Sequence, residues 1–128
     1  MNKITHASPL DLYEIKLGTT ITPGTLVALD GDGKAVSAGD TAGITVIGVA
    51  GRIIDGTCEV ESGIVALAGD AVTRAARGSA AFVKAANTVD LAGGTNKITA
   101  GIVVDVYDGD VYVDVSPAAL AAAAALAK

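Results

Sequence analysis

Aromatic side chains are nearly missing from this chain. Tyr13, Phe82, Tyr107 and Tyr112 are all it has, and there is no tryptophan. Yet 51% of its 128 residues are hydrophobic, so Ala, Val, Ile and Leu must fill the core of what reads as one compact domain. Such a core has many small contacts, and a positive mean hydropathy points to apolar surface covered by other subunits. Cysteine is equally scarce, and Cys58 alone excludes an internal disulfide framework. Charge is low as well, at 18% with a net charge of −5. Its nine basic residues are scattered from Lys3 to Lys128, whereas phosphate-backbone binding needs a concentrated basic footprint. Nucleic acid is therefore not an expected partner. No apolar run reaches the roughly 18 residues of a membrane span, so a membrane is not expected either. No signal-peptide core follows Met1-Asn2-Lys3, and the expectation is synthesis in a reducing host cytoplasm.

What the chain does have is a repeat. Residues 47–61 align without a gap on residues 100–114. In both copies a glycine, Gly48 or Gly101, precedes a β-branched run. Asp-Gly follows at the same spacing, as Asp55-Gly56 and Asp108-Gly109, and an apolar/acidic alternation closes the unit. Upstream the match is looser and shifted by one residue, residues 24–29 answering 78–83. Two copies are too few for a solenoid, which needs about three to bury a continuous core. The pattern predicts an all-β fold: a small pseudo-symmetric β-barrel or sandwich of two similar halves, about 24–61 and 78–114, within a β-domain at 10–115.

Residues 1–9 read as an extended N-terminal arm, polar and without periodicity. Residues 10–17 alternate in the manner of a strand with one buried face. Short strands are expected at 26–29, 34–36, 45–50, 57–61, 63–67, 81–85, 88–91, 96–99, 102–107 and 111–115, with a helical turn closed by Gly78 or, in preference, an irregular crossover over 70–78. Asp-Gly between β-type runs is a hairpin signal, since glycine accepts the positive φ of a tight turn. Ser116-Pro117 is a helix start, cap then proline at the first helical position, and the Ala-rich segment to residue 128 forms a short C-terminal helix. At that length it needs support, and its smooth Ala surface is expected to dock on a neighbouring subunit or shell.

No constellation for catalysis emerges. His6 is the single histidine and sits in the arm, without the rigid setting that a triad or metal site needs. Cys58 stands where the other copy has Val111, so it reads as a small hydrophobe. Asp30-Gly31-Asp32-Gly33-Lys34 resembles the opening of a calcium loop but has Ala35 and Thr41 where Gly and Glu are required. Neither 48–51 nor 93–96 matches a phosphate-binding glycine motif. Asp105, Asp108, Asp110 and Asp114 read as turn and solvated-face residues. The chain is read as not an enzyme, with no cofactor and no metal.

Pro23-Gly24-Thr25-Leu26-Val27 with its Asp-Gly turn, Ile47-Gly48-Val49-Ala50, residues 60–64, 77–83, 100–103 and 111–113 together resemble the small capsid decoration (cement) proteins of tailed bacteriophages. The resemblance spans roughly residues 17–115 and rests on glycine and β-branched spacing; the Ala-rich tail departs from the common form. It implies a structural virion protein on the capsid exterior that bridges capsomers. Its partners would be the major capsid protein and itself, a homotrimer before a dimer. Ile4, His6, Leu10, Leu12 and Tyr13 of the arm and first strand, with Leu120 and Leu126 of the tail, are the candidate capsid or subunit contacts. The alternative is a non-catalytic binding or adhesion β-module of a phage tail or surface protein. A biotinyl or lipoyl carrier would need a lysine at a hairpin tip, where this chain has Asp108-Gly109-Asp110.

Overall fold

Short β-branched runs broken by glycine give short strands, and the computed structural model, which describes residues 11–127, folds them into ten β-strands and one α-helix. The strands are β1 (Asp11–Glu14), β2 (Leu26–Leu29), β3 (Ala35–Ser37), β4 (Thr45–Ile54), β5 (Thr57–Glu61), β6 (Ile64–Gly69), β7 (Ala80–Ala85), β8 (Thr88–Asp90), β9 (Thr99–Tyr107) and β10 (Asp110–Asp114). Helix α1 (Pro117–Leu126) closes the chain. The fold is mostly β, in two sheets. The first has the order β1-β5-β4-β2-β3. In the second, β10-β6-β8-β7-β9, strand β9 also pairs with β10, so every strand has a neighbour on both sides.

The two sheets share their registers. Asp11↔Val60, Leu12↔Glu59, Tyr13↔Cys58 and Glu14↔Thr57 recur as Val65↔Val113, Ala66↔Tyr112, Leu67↔Val111 and Ala68↔Asp110. Leu26↔Val49 and Val27↔Gly48 recur as Ala80↔Ile102 and Ala81↔Gly101, each followed by a bulge. The bulge in β4–β5 after Ala50↔Val60 returns in β9–β10 after Val103↔Val113. Even the parallel bridge Ile15↔Ala35 has its counterpart in Gly69↔Val89. The correspondence runs at 54 residues for β1–β3 and 53 for β4–β5.

Two features of each hairpin explain why this pattern needs glycine. At the tips, Asp55 (φ 47°) with Gly56 (φ 77°), and Asp108 (φ 53°) with Gly109 (φ 85°), both take the left-handed turn that matches strand twist. At the bases, a Cβ on Gly48 (φ 156°) would meet the Glu61 carbonyl oxygen at 2.5 Å, and one on Gly101 (φ 142°) would strike the Asp114 carbonyl. Backbones approach here more closely than any side chain permits.

Alternation along β2 splits the core. Val27 joins a smaller cluster with Ile21, Ala35, Ala50, Cys58 and Val60, while Leu26 and Ala28 turn the other way into the main cluster. That main cluster is built on Val83, Val89, Val103, Val111, Val113 and Val115 and joins the two sheets. Cys58 and Val111 are both fully buried, so the thiol does stand where valine serves. Helix α1 starts as expected: Ser116 Oγ accepts the Ala119 N–H at 3.3 Å, and Pro117 occupies the first turn. Its docking differs from the expectation of a neighbouring subunit. Ala119 and Ala123, four residues apart on one face, are buried against the chain's own β9, β7 and β4.

Three further details differ from the sequence pattern. Strand β1 ends at Glu14, so Leu17 falls in the turn that follows and is 95% exposed, while Tyr13 and Ile15 carry the buried phase and Leu12 faces outward. Residues 96–98 form no strand; Gly93, Gly94 and Lys97 adopt positive φ and turn the chain before Thr99. The 70–78 crossover contains one 3-10 turn, Arg74–Ala76, which buries Ala76.

Gly101→Ala is expected to lower stability by at least about 1–3 kcal/mol, the cost of a strained backbone, before the clash with Asp114 is added. Gly109→Asn, at an open left-handed turn position, should cost far less in the same denaturation experiment. Cys58→Val should cost less than about 1.5 kcal/mol, as a near volume-conserving swap does. A large loss at Cys58 would show that the thiol serves something other than packing.

Candidate functional site

Strand parity sends Leu12, Glu14, Arg52, Ile54, Thr57 and Glu59 to the outer face of the first sheet. Leu12 is 59% exposed and lies across from Glu59, which is only 4% exposed. Arg52 explains that buried carboxylate. Its Nε donates to Oε1 and its Nη2 to Oε2, both at 3.1 Å, and its backbone N–H donates to Oε1 at 3.3 Å. The two-pronged guanidinium bond holds Glu59 below the usual glutamate range and Arg52 above its own. A carboxylate so fully occupied is a fastening, not a base.

A second fastening joins the two sheets. The Asp40 carboxylate accepts the Thr95 N–H at 2.9 Å and the Asn96 N–H at 2.8 Å, and Asn96 Nδ2 donates to the Asp40 carbonyl at 3.1 Å. These bonds, led by the Thr95 N–H, lower the Asp40 pKa. Gly94 leaves room for the carboxylate, since a Cβ there would collide with it. Nearby, Asp30 accepts the Lys34 and Asp32 N–H groups in its own turn, which lowers its pKa, and pairs with Lys16 at 3.9 Å. The pair at corresponding positions of the second sheet is Asp70 with Lys84, with the signs exchanged. Lys34 and Glu14 add an ion pair at 2.9 Å.

The candidate contact residues fall into two patches. Leu12 is open to solvent, while Tyr13 is half-buried against the smaller core. On α1, Leu120 is half-buried against the main core, and Leu126 is 60% exposed. Ile4, His6, Leu10 and the arm at 1–9 lie outside the described residues. Leu126 borders an open groove of about 330 Å³ with Gly78, Ser79, Ala80 and Phe82. A cavity of about 410 Å³ lies between Lys16, Asp30 and the 41–44 loop. Among the described residues no three His, Cys, Asp or Glu side chains are grouped to hold a metal ion, and no helix is long and apolar enough to cross a membrane. Sequence reasoning missed Asp40, Arg52 and Glu59, and the exchanged ion pair. Extending the repeat upstream at 54 residues would have placed Lys16 and Asp30 on Asp70 and Lys84.

No family model, curated protein or solved structure matches this chain.

Asp30, Asp40 and Glu59 are all lowered, so each contributes fully above the ordinary carboxylate range of about pH 4–4.5. That contribution disappears as the pH falls through the depressed folded values. Thermal stability should therefore fall steeply on acidification below that range. Asp40→Asn should flatten part of the slope and speed hydrogen exchange at the Thr95 and Asn96 amides. An unchanged pH profile with unchanged exchange would remove the Asp40 clasp from the account of stability.

Proposed function

We propose that this chain is a structural virion protein that binds the outer surface of an assembled phage capsid and stabilises it by bridging capsomers. In this reading the domain is a small pseudo-symmetric β-barrel or sandwich of two similar halves, and it acts by contact rather than by chemistry. The matched registers of the two sheets carry the reading, because they describe a scaffold whose polar groups are spent on holding itself together. Glu59, Asp40 and Asp30 are each occupied by hydrogen bonds from the chain itself. Apolar side chains meanwhile remain open on several elements, among them Leu12, Leu17, Ile64, Tyr107 and Leu126. The resemblance to capsid decoration proteins supplies the partner: the major capsid protein, with the chain associating with itself, a homotrimer before a dimer. Sugar recognition by an adhesion module is less well supported. It uses exposed aromatic platforms, and Tyr13 and Tyr112 are half-buried, which leaves Tyr107 as the exposed one among the described residues.

Purified chain mixed with empty, expanded phage heads should co-sediment with them and raise their thermal disruption temperature. Cys58→Val and His6→Ala should leave that stabilisation nearly unchanged. Absence of co-sedimentation, or loss of stabilisation in a folded Cys58→Val protein, would sink the reading.

A further inference from the structure

Corresponding faces of the two sheets have different fates. In the first, the outward side of β2 is wholly covered: Leu26 and Ala28 are both 0% exposed within the main cluster. The cover is the second sheet, and the contact includes a backbone bond, the Leu26 N–H to the Ala86 carbonyl at 2.8 Å. In the second sheet, Ala80 and Phe82 stand where Leu26 and Ala28 stand, by the registers given above. Here α1 covers only part of the face. What it leaves is an open groove of about 330 Å³ between exposed Gly78, Ser79 and Leu126 and half-buried Ala80, with the buried Phe82 at its floor. Among the described residues no carbonyl outside the sheet meets the Ala80 N–H.

The surface that covers Leu26 also has a counterpart. Ala86 lies in the β7–β8 turn, and 54 residues earlier Asp32 lies in the β2–β3 turn. Gly31, Asp32 and Gly33 are all exposed, as are Thr41, Ala42 and Gly43 of the adjoining loop. One chain thus presents both a partly covered face and, open to solvent, the turn that stands in the first sheet at the position of the covering one, though Gly33 (φ 77°) gives it a different backbone course.

We propose that copies of this chain associate head to tail, the β7 face of one seating on the β2–β3 turn of the next. The occupant is a second copy because the internal contact between the two sheets is itself the template. The contact is heterologous, so it closes into a ring where the rotation permits and does not pair a surface with itself. It is weaker than its template. Gly94 occupies the position corresponding to Asp40, so the clasp onto the 93–97 turn is not repeated between copies. This inference rests on the self-association proposed above and adds the surfaces that make it.

The test uses full-length chain in a Cys58→Val background. Ala80→Cys is placed in one preparation and Asp32→Cys in another. Residues joined like Leu26 and Ala86 lie within the Cα separation that a disulfide spans. Mild oxidation of the mixture should give a covalent dimer, and neither preparation alone should do so. Ser79→Cys with Gly31→Cys, both at exposed positions, provides a second pair should Ala80→Cys fail to fold. A chain that sediments as an oligomer yet gives no mixed link with either pair overturns these surfaces while leaving self-association standing. A chain that sediments as a monomer at every soluble concentration overturns both. Co-sedimentation with heads is read independently, so failure of the capsid reading remains distinguishable.

Discussion

Two close backbone approaches govern this fold. Gly48 lies against the Glu61 carbonyl and Gly101 against that of Asp114, at the open ends of the two long hairpins. An ordinary side chain would hold the strands apart at both places. With glycine there and a bulge two to four residues further on, each hairpin can twist and coil more strongly than a flat ladder. Strong coiling is what brings β6 round to β8, and Ile15 to Ala35, in parallel contacts that a flat sheet could not make.

Small side chains suit such tightly coiled sheets. A narrow interior has room for Val and Ala, and Val103, Val111 and Val113 fill the second one where a Trp would not fit. The limitation is that small residues bury little area each. The chain gains more by making β2 serve two clusters at once and by laying α1 over β9. In α1 the alanines at 119 and 123 allow close backbone approach, so a helix too short to persist alone acquires its support within its own chain.

Much of this was legible in the residues. The Asp-Gly turns, the valine-like role of Cys58 and the helix start at Ser116-Pro117 all have local physical causes, and the structure places them as the pattern implies. The phase of β1 was not legible, because Leu12 and Tyr13 are adjacent and both apolar; Tyr13 faces Cys58 in the core, and Leu12 lies outside. Nor was the docking of α1, whose alanines carry no directional signal about what lies beneath them. Asp40 and Glu59 escaped for a different reason. Their partners, Asn96 and Arg52, become neighbours only once the chain is folded, and an isolated carboxylate in a loop or on a strand face reads as solvated.

The exchanged ion pairs bear on how the chain reaches this structure. Two sheets with the same registers invite error, since a strand from one could seat in the other with every backbone bond satisfied. Lys16 faces Asp30, and Asp70 faces Lys84. A first-half segment misplaced into the second sheet would set Lys16 against Lys84, and the reciprocal mistake would set Asp70 against Asp30. Either shuffle replaces attraction with like-charge repulsion at the seam where the sheet curls upon itself. Ion pairs too exposed to add much to the finished fold can thus reject its nearest impostors, and the same rule applies when strands of two crowded copies meet during assembly.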